Sequence, residues 1–62
     1  MNVKLRAARE KARLTQAQLA EKTGISELSY QRYEYDDRQP SVRTAIRIAY
    51  VLSTTVENLF TQ

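Results

Sequence analysis

The chain contains no cysteine and no histidine. Disulfides, zinc-finger ligand sets and thiol or imidazole nucleophiles are thereby excluded, and the scaffold must hold by packing alone. A single glycine and a single proline leave little room for sheet turns, and helix formers dominate. No apolar run approaches the length of a membrane span, and Met1 leads directly into a charged segment without a signal-peptide core. A soluble, cytoplasmic protein is expected. There is no Gly-rich phosphate loop and no carboxylate pair on a shared cleft, and Asp36-Asp37 sits beside Arg38 without metal-ligand companions. The composition therefore argues against an enzyme, and it implies no cofactor and no metal.

What is present is small and unevenly charged. Sixty-two residues are expected to form one domain over 1–62, and a domain of that size buries only about 60% of its unfolded surface. The net charge is +3, which suits an acidic partner. Residues 1–20 carry five cations against Glu10, whereas residues 21–40 carry three cations against five acids. Lys4, Arg6 and Lys11 read as a solvated face of the first helix.

The apolar periodicity predicts five short helices and no strand. Leu5, Ala8 and Ala12 share one face of the first, together with Arg9, an odd place for a charge. Thr15 and Gln18 form a capping box that starts a second helix at Gln16, with Leu19 and Ala20 inward. Gly24 suits a sharp left-handed turn. Ser26 is an N-cap for a third helix, preceded by the apolar anchor Ile25. Tyr30 and Tyr33 face inward with Glu34 beside them, and Glu27, Leu28, Gln31, Arg32 and Tyr35 form the opposite stripe. YDDRQP is a loop ended by Pro40. Ser41 caps a fourth helix whose inward positions are expected to be Val42, Ala45, Ile46, Ala49 and Leu52. Thr54 (boxed with Glu57) or Thr55 caps a fifth, which closes the core with Val56, Leu59 and Phe60.

The stretch TQAQLAEKTGISELSYQRYE resembles a lambda-repressor-like, Xre-type (Cro-type) helix-turn-helix, with Gln16 leading the second helix, Gly24 at the turn, and Tyr33-Glu34 ending the third. LRAAREKARLTQ is similar to the family's first helix, and PSVRTAIRIAYVLSTTVENLF resembles its last two. The resemblance implies an all-α, compact five-helix lambda-repressor-like DNA-binding domain, with its helix-turn-helix motif at approximately residues 16–35. It also implies a structural ion pair between Arg9 and Glu34; without it, Arg9 would snorkel to solvent and Glu34 would be surface.

Carried over residue by residue, the family's second helix lies across the phosphates and its third enters the major groove. Glu27, Leu28, Ser29 and Arg32 then occupy base-reading positions. Glu27 can accept from cytosine N4, Leu28 can pack on a thymine methyl, and Arg32 can fork onto guanine or hold a phosphate. Gln16, Gln31, Arg38, Gln39, Ser41 and Arg43 are the candidates for the DNA backbone, with Gln16 at a position where the family's glutamine bonds the backbone or braces a neighbouring side chain. Each has a plainer reading. Glu27 complements the helix dipole with or without DNA, Gln16 is also an ordinary first-turn residue, and Leu28 with Tyr35 also suits a protein contact.

Several positions depart from the family. Arg13 stands where glycine is common, Tyr30 replaces an aliphatic residue, Asp36-Asp37 replaces Asn-Gly or lysines, and Ser53-Thr54 replaces Gly-Val. The two aspartates oppose the counterion-release contribution to DNA affinity. The expected function is a sequence-specific transcriptional regulator of bacterial or phage type, acting as a repressor. It would bind a two-fold-related double-stranded DNA operator as a homodimer, with Val56 and Phe60 of the last helix at the dimer surface. The alternative is a protein-binding module that uses the acidic, apolar face of the third helix.

Overall fold

Each helix begins where a side chain can satisfy the free amides of its first turn. The computed structural model describes residues 1–61, and within them five helices follow in order: α1 (Val3–Lys11), α2 (Gln16–Thr23), α3 (Glu27–Glu34), α4 (Val42–Val51) and α5 (Val56–Phe60). No strand occurs among the described residues. Asn2 caps α1 by accepting from the Leu5 amide at 3.0 Å. At α2 the capping box closes both ways: the Gln18 amide donates to Thr15 Oγ1 at 3.0 Å, and the Thr15 amide to Gln18 Oε1 at 2.9 Å. Ser26, Ser41 and Thr55 cap α3, α4 and α5 one way only, each hydroxyl accepting from the amide three residues on. Of the two threonines expected before α5, Thr55 is the cap, while Thr54 Oγ1 accepts from the Asn58 side chain.

Gly24 ends α2 at φ 75°, the left-handed conformation its missing Cβ allows. Three other turns reach positive φ without glycine, at Arg13 (60°), Asp36 (62°) and Ser53 (55°). Arg13, Ser53 and the Asp36-Asp37 loop are where the sequence departs from glycine-bearing patterns. The helix-ending bonds demand that geometry: the Leu14 amide returns to the Arg9 carbonyl and the Thr54 amide to the Ala49 carbonyl. A side chain in that region costs about 1 kcal/mol.

The core consists of Leu5, Leu19, Ala20, Tyr30, Ile48, Ala49 and Leu59, with Ala8, Leu14, Ile25, Tyr33, Val51, Leu52, Val56 and Phe60 packed partly against it. α2 packs on α3 and α4, while α5 closes against α1 and α4. Two expectations about facing need correction. Val42 and Ile46 are 76% and 55% exposed, and Ile48, not foreseen as inward, is fully buried. The buried face of α4 is Ala45, Ile48 and Ala49, with Leu52 half-buried. Ala45, Ala49 and Leu52 face inward as expected, and the change is that Ile48, rather than Val42 and Ile46, completes the face. Ala12 is likewise exposed at the end of α1, and Leu14 supplies apolar contact instead.

Candidate nucleic-acid interface

The third helix has one end tied into the core and one free. Its C-terminal end is organised around Glu34, which is 1% exposed. Arg9 donates to it from Nε at 2.9 Å and from Nη2 at 3.1 Å, a two-point contact from α1. The third guanidinium nitrogen, Nη1, donates to the Leu14 carbonyl at 2.8 Å. From one turn back in α3 the Tyr30 hydroxyl donates at 2.5 Å, and from the start of α2 Gln16 Nε2 donates at 3.3 Å. The backbone carbonyl of Glu34 accepts from the Asn2 amide at 2.7 Å. One carboxylate thus joins three helices, and no buried side-chain nitrogen or oxygen lacks a partner among the described residues.

The electrostatics follow from these contacts. Burial is the largest single influence on Glu34 and opposes its charge, yet the bonds from Arg9, Tyr30 and Gln16 together hold its carboxyl below the ordinary carboxylate range. The bond to Glu34 raises the Arg9 guanidinium further, and burial followed by the Glu34 bond drives the Tyr30 hydroxyl upward. All three groups therefore hold one protonation state near neutrality. The role of Tyr30 was legible only as a departure from the aliphatic pattern, although a hydroxyl four residues before a buried glutamate is itself a signal.

The opposite face of α3 is open. Glu27 and Arg32 are exposed, and Leu28 is 58% exposed. Gln31 is half-buried on the flank and donates from Nε2 to Glu27 Oε2 at 3.4 Å, while Arg32 forms no ion pair among the described residues. Ser29 is less free: it is half-buried, its amide donates to the Ser26 cap, and its hydroxyl accepts from that of Ser26 at 2.9 Å. Gln16 lies half-buried at the edge, with one amide hydrogen directed to Glu34 and a second still to place.

Beyond α3 the chain turns back on itself through the Asp37 and Arg38 amides, which both donate to the Arg32 carbonyl. Asp36 is drawn toward α1, with its carboxylate 3.1 Å from the Met1 amino group. Arg38, Gln39 and Arg43 are exposed, and Ser41 is exposed at the head of α4 while its hydroxyl caps Thr44. The expected backbone contacts therefore sit in two groups, Gln16 and Gln31 beside the outer face of α3 and Arg38 to Arg43 in the loop and first turn of α4. No described group of His, Cys, Asp or Glu has the arrangement of a metal site, and no described helix is long and apolar enough to cross a membrane.

The sequence that builds these helices is similar to known proteins. A family model described as helix-turn-helix matches residues 5–59. An uncharacterized HTH-type transcriptional regulator of Bacillus subtilis, YqaE, is 34% identical over 55 residues, covering 89% of this chain and 47% of the relative. The cryptic phage CTXphi transcriptional repressor RstR of Vibrio cholerae is 34% identical over 61 residues, covering 95% of this chain and 54% of the relative. The chain spans about half the length of these curated relatives.

Proposed function

The chain belongs to the helix-turn-helix family, in its lambda-repressor-like, Xre-type branch of DNA-binding transcriptional regulators without enzymatic activity, and on that premise we propose that it is a bacterial or phage repressor acting in the cytoplasm. In this reading α3 enters the major groove of a double-stranded operator. Arg32 forks onto a guanine edge or grips a phosphate, Glu27 accepts from cytosine N4, and Leu28 covers a thymine methyl. Ser29 contributes at the first turn within the limits set by its cap. Gln16 and Gln31 hold the backbone beside α3, and Arg38, Gln39, Arg43 and the amide end of α4 at Ser41 hold it from the loop. The observation that carries the reading is the open stripe Glu27, Leu28 and Arg32 on the outer face of a helix whose inner face is locked to two neighbours through Glu34.

A single domain of this kind makes few contacts, so two copies on half-sites roughly 34–36 Å apart supply the affinity. The half-buried Val56 and Phe60 of α5 are the surface for that pairing. Selection of bound duplexes from a random pool, followed by titration at two salt concentrations, tests all of this. A recovered palindrome whose affinity falls steeply with salt is the expected outcome. Absence of any enriched site at low salt would defeat the proposal. The exposure of Leu28 and of Tyr35 (49%) beside Glu27 favours a second reading, in which the same face of α3 meets a protein. That reading requires binding that is insensitive to DNA competitor.

A further inference from the structure

Seven large apolar side chains stand exposed among the described residues, and three of them share one ridge of α4: Val42, Ile46 and Tyr50, exposed by 76, 55 and 84%. Their i, i+4, i+8 spacing stacks them along the helix. The proposed DNA contacts use none of them. Beside Ile46 and Tyr50 a cleft of about 480 Å³ opens against the last turn of α2, lined also by Glu21, Lys22, Gly24 and Arg47. Lys22 and Arg47 form no ion pair among the described residues. A contiguous apolar ridge with a charged rim is the usual signature of an interaction site.

We propose that this ridge and cleft dock an acidic amphipathic helix of another protein. Its apolar residues, spaced one turn apart, pack on Ile46 and Tyr50, and its flanking carboxylates pair with Lys22 and Arg47. This is the helix-in-groove mode of recognition. The charges on the rim select the occupant. A second copy of this chain, pairing α4 against α4, would bring two Arg43 and two Arg47 side chains to one seam with only Glu21 from each copy to offset them. A nucleic-acid backbone would satisfy the cations but would lay phosphates on Ile46 and Tyr50, an apolar surface that offers them no donors.

Selection of a displayed random-peptide library on the purified protein tests the proposal. The recovered peptides should share apolar residues at i and i+4 flanked by Asp or Glu. Their affinity should fall by about tenfold or more on Ile46→Ser or Tyr50→Ser, and also on Arg47→Glu. All three positions are exposed, so circular dichroism should show the helical content of the parent protein. Recovered peptides that lack acidic residues, or that bind the three variants as well as the parent, would overturn it. Concentration-dependent dimerisation abolished by Tyr50→Ser would assign the surface to a second copy instead. Loss of duplex binding in the same variant would assign it to DNA.

Discussion

Glu27 and Glu34 stand at opposite ends of α3 and share little beyond their side chain. Glu34 is buried and takes bonds from α1, α2 and α3, whereas Glu27 is exposed and its carboxylate accepts from Gln31 at 3.4 Å. A carboxylate brought out of water is tolerable only with its acceptor sites filled, so the Glu34 end admits one arrangement of its neighbours. The Glu27 end is solvated and constrains nothing but the first turn. The difference teaches that α3 divides by face: its inward side carries stability, and its outward side, from Glu27 to Arg32, is free for the proposed recognition. Substitutions can alter one while leaving the other nearly untouched.

The strongest attempt to break that separation is Arg9→Ala, which leaves Glu34 buried without its ion pair. Denaturant unfolding should show a loss of about 3–5 kcal/mol; a loss of a few tenths would mean that the pair is structurally idle. Acid should attack the same end. Because the Glu34 carboxyl is held below its ordinary range, its contribution is complete above that ordinary range and fades as pH falls through the lowered value. Glu34→Gln should flatten the stability–pH curve in that acidic window, and an unchanged curve would locate the titration elsewhere.

Tyr30→Phe removes one donor to a charged acceptor and keeps the ring, so a loss of about 1.5–3 kcal/mol in unfolding free energy is expected. On the outer face of the last turn of α3, Arg32→Ala should leave stability within about 0.5 kcal/mol and weaken duplex binding by about 1–3 kcal/mol, measured by fluorescence anisotropy. A large stability loss there would erase the contrast. Glu27→Gln is the mildest change. It should cost stability at most about 0.3–1 kcal/mol through the helix dipole and shift base preference at one position of the selected site, with no change in the salt slope.

Much of this was legible in the residues, and the unreadable part has an identifiable cause. Thr15 with Gln18, Gly24, Ser26 and Ser41 announced helix ends, because capping depends on neighbours three or four residues away and leaves a local trace. The facing of α4 was not readable in the same way. VRTAIRIAYV carries two apolar ridges, Val42-Ile46-Tyr50 and Ala45-Ile48-Ala49, and periodicity gives both the same weight. The proposed interface lies between these cases: its side-chain chemistry is plain in ELSYQR, but that Ser29 is held in the cap and Gln16 is turned toward Glu34 needed three dimensions.

By itself, then, the order of residues determined that this chain forms helices, where most of them start and stop, and which residue types face outward from α3. Those properties rest on short-range hydrogen bonding and on the spacing of apolar residues within one helix. Only the tertiary structure decided which ridge of α4 is buried, which donors surround Glu34, and that Val42, Ile46 and Tyr50 remain uncovered. Each of these depends on contacts between helices distant in sequence. There the packing of Ile48 in the core or the reach of a tyrosine hydroxyl settles what periodicity leaves equal.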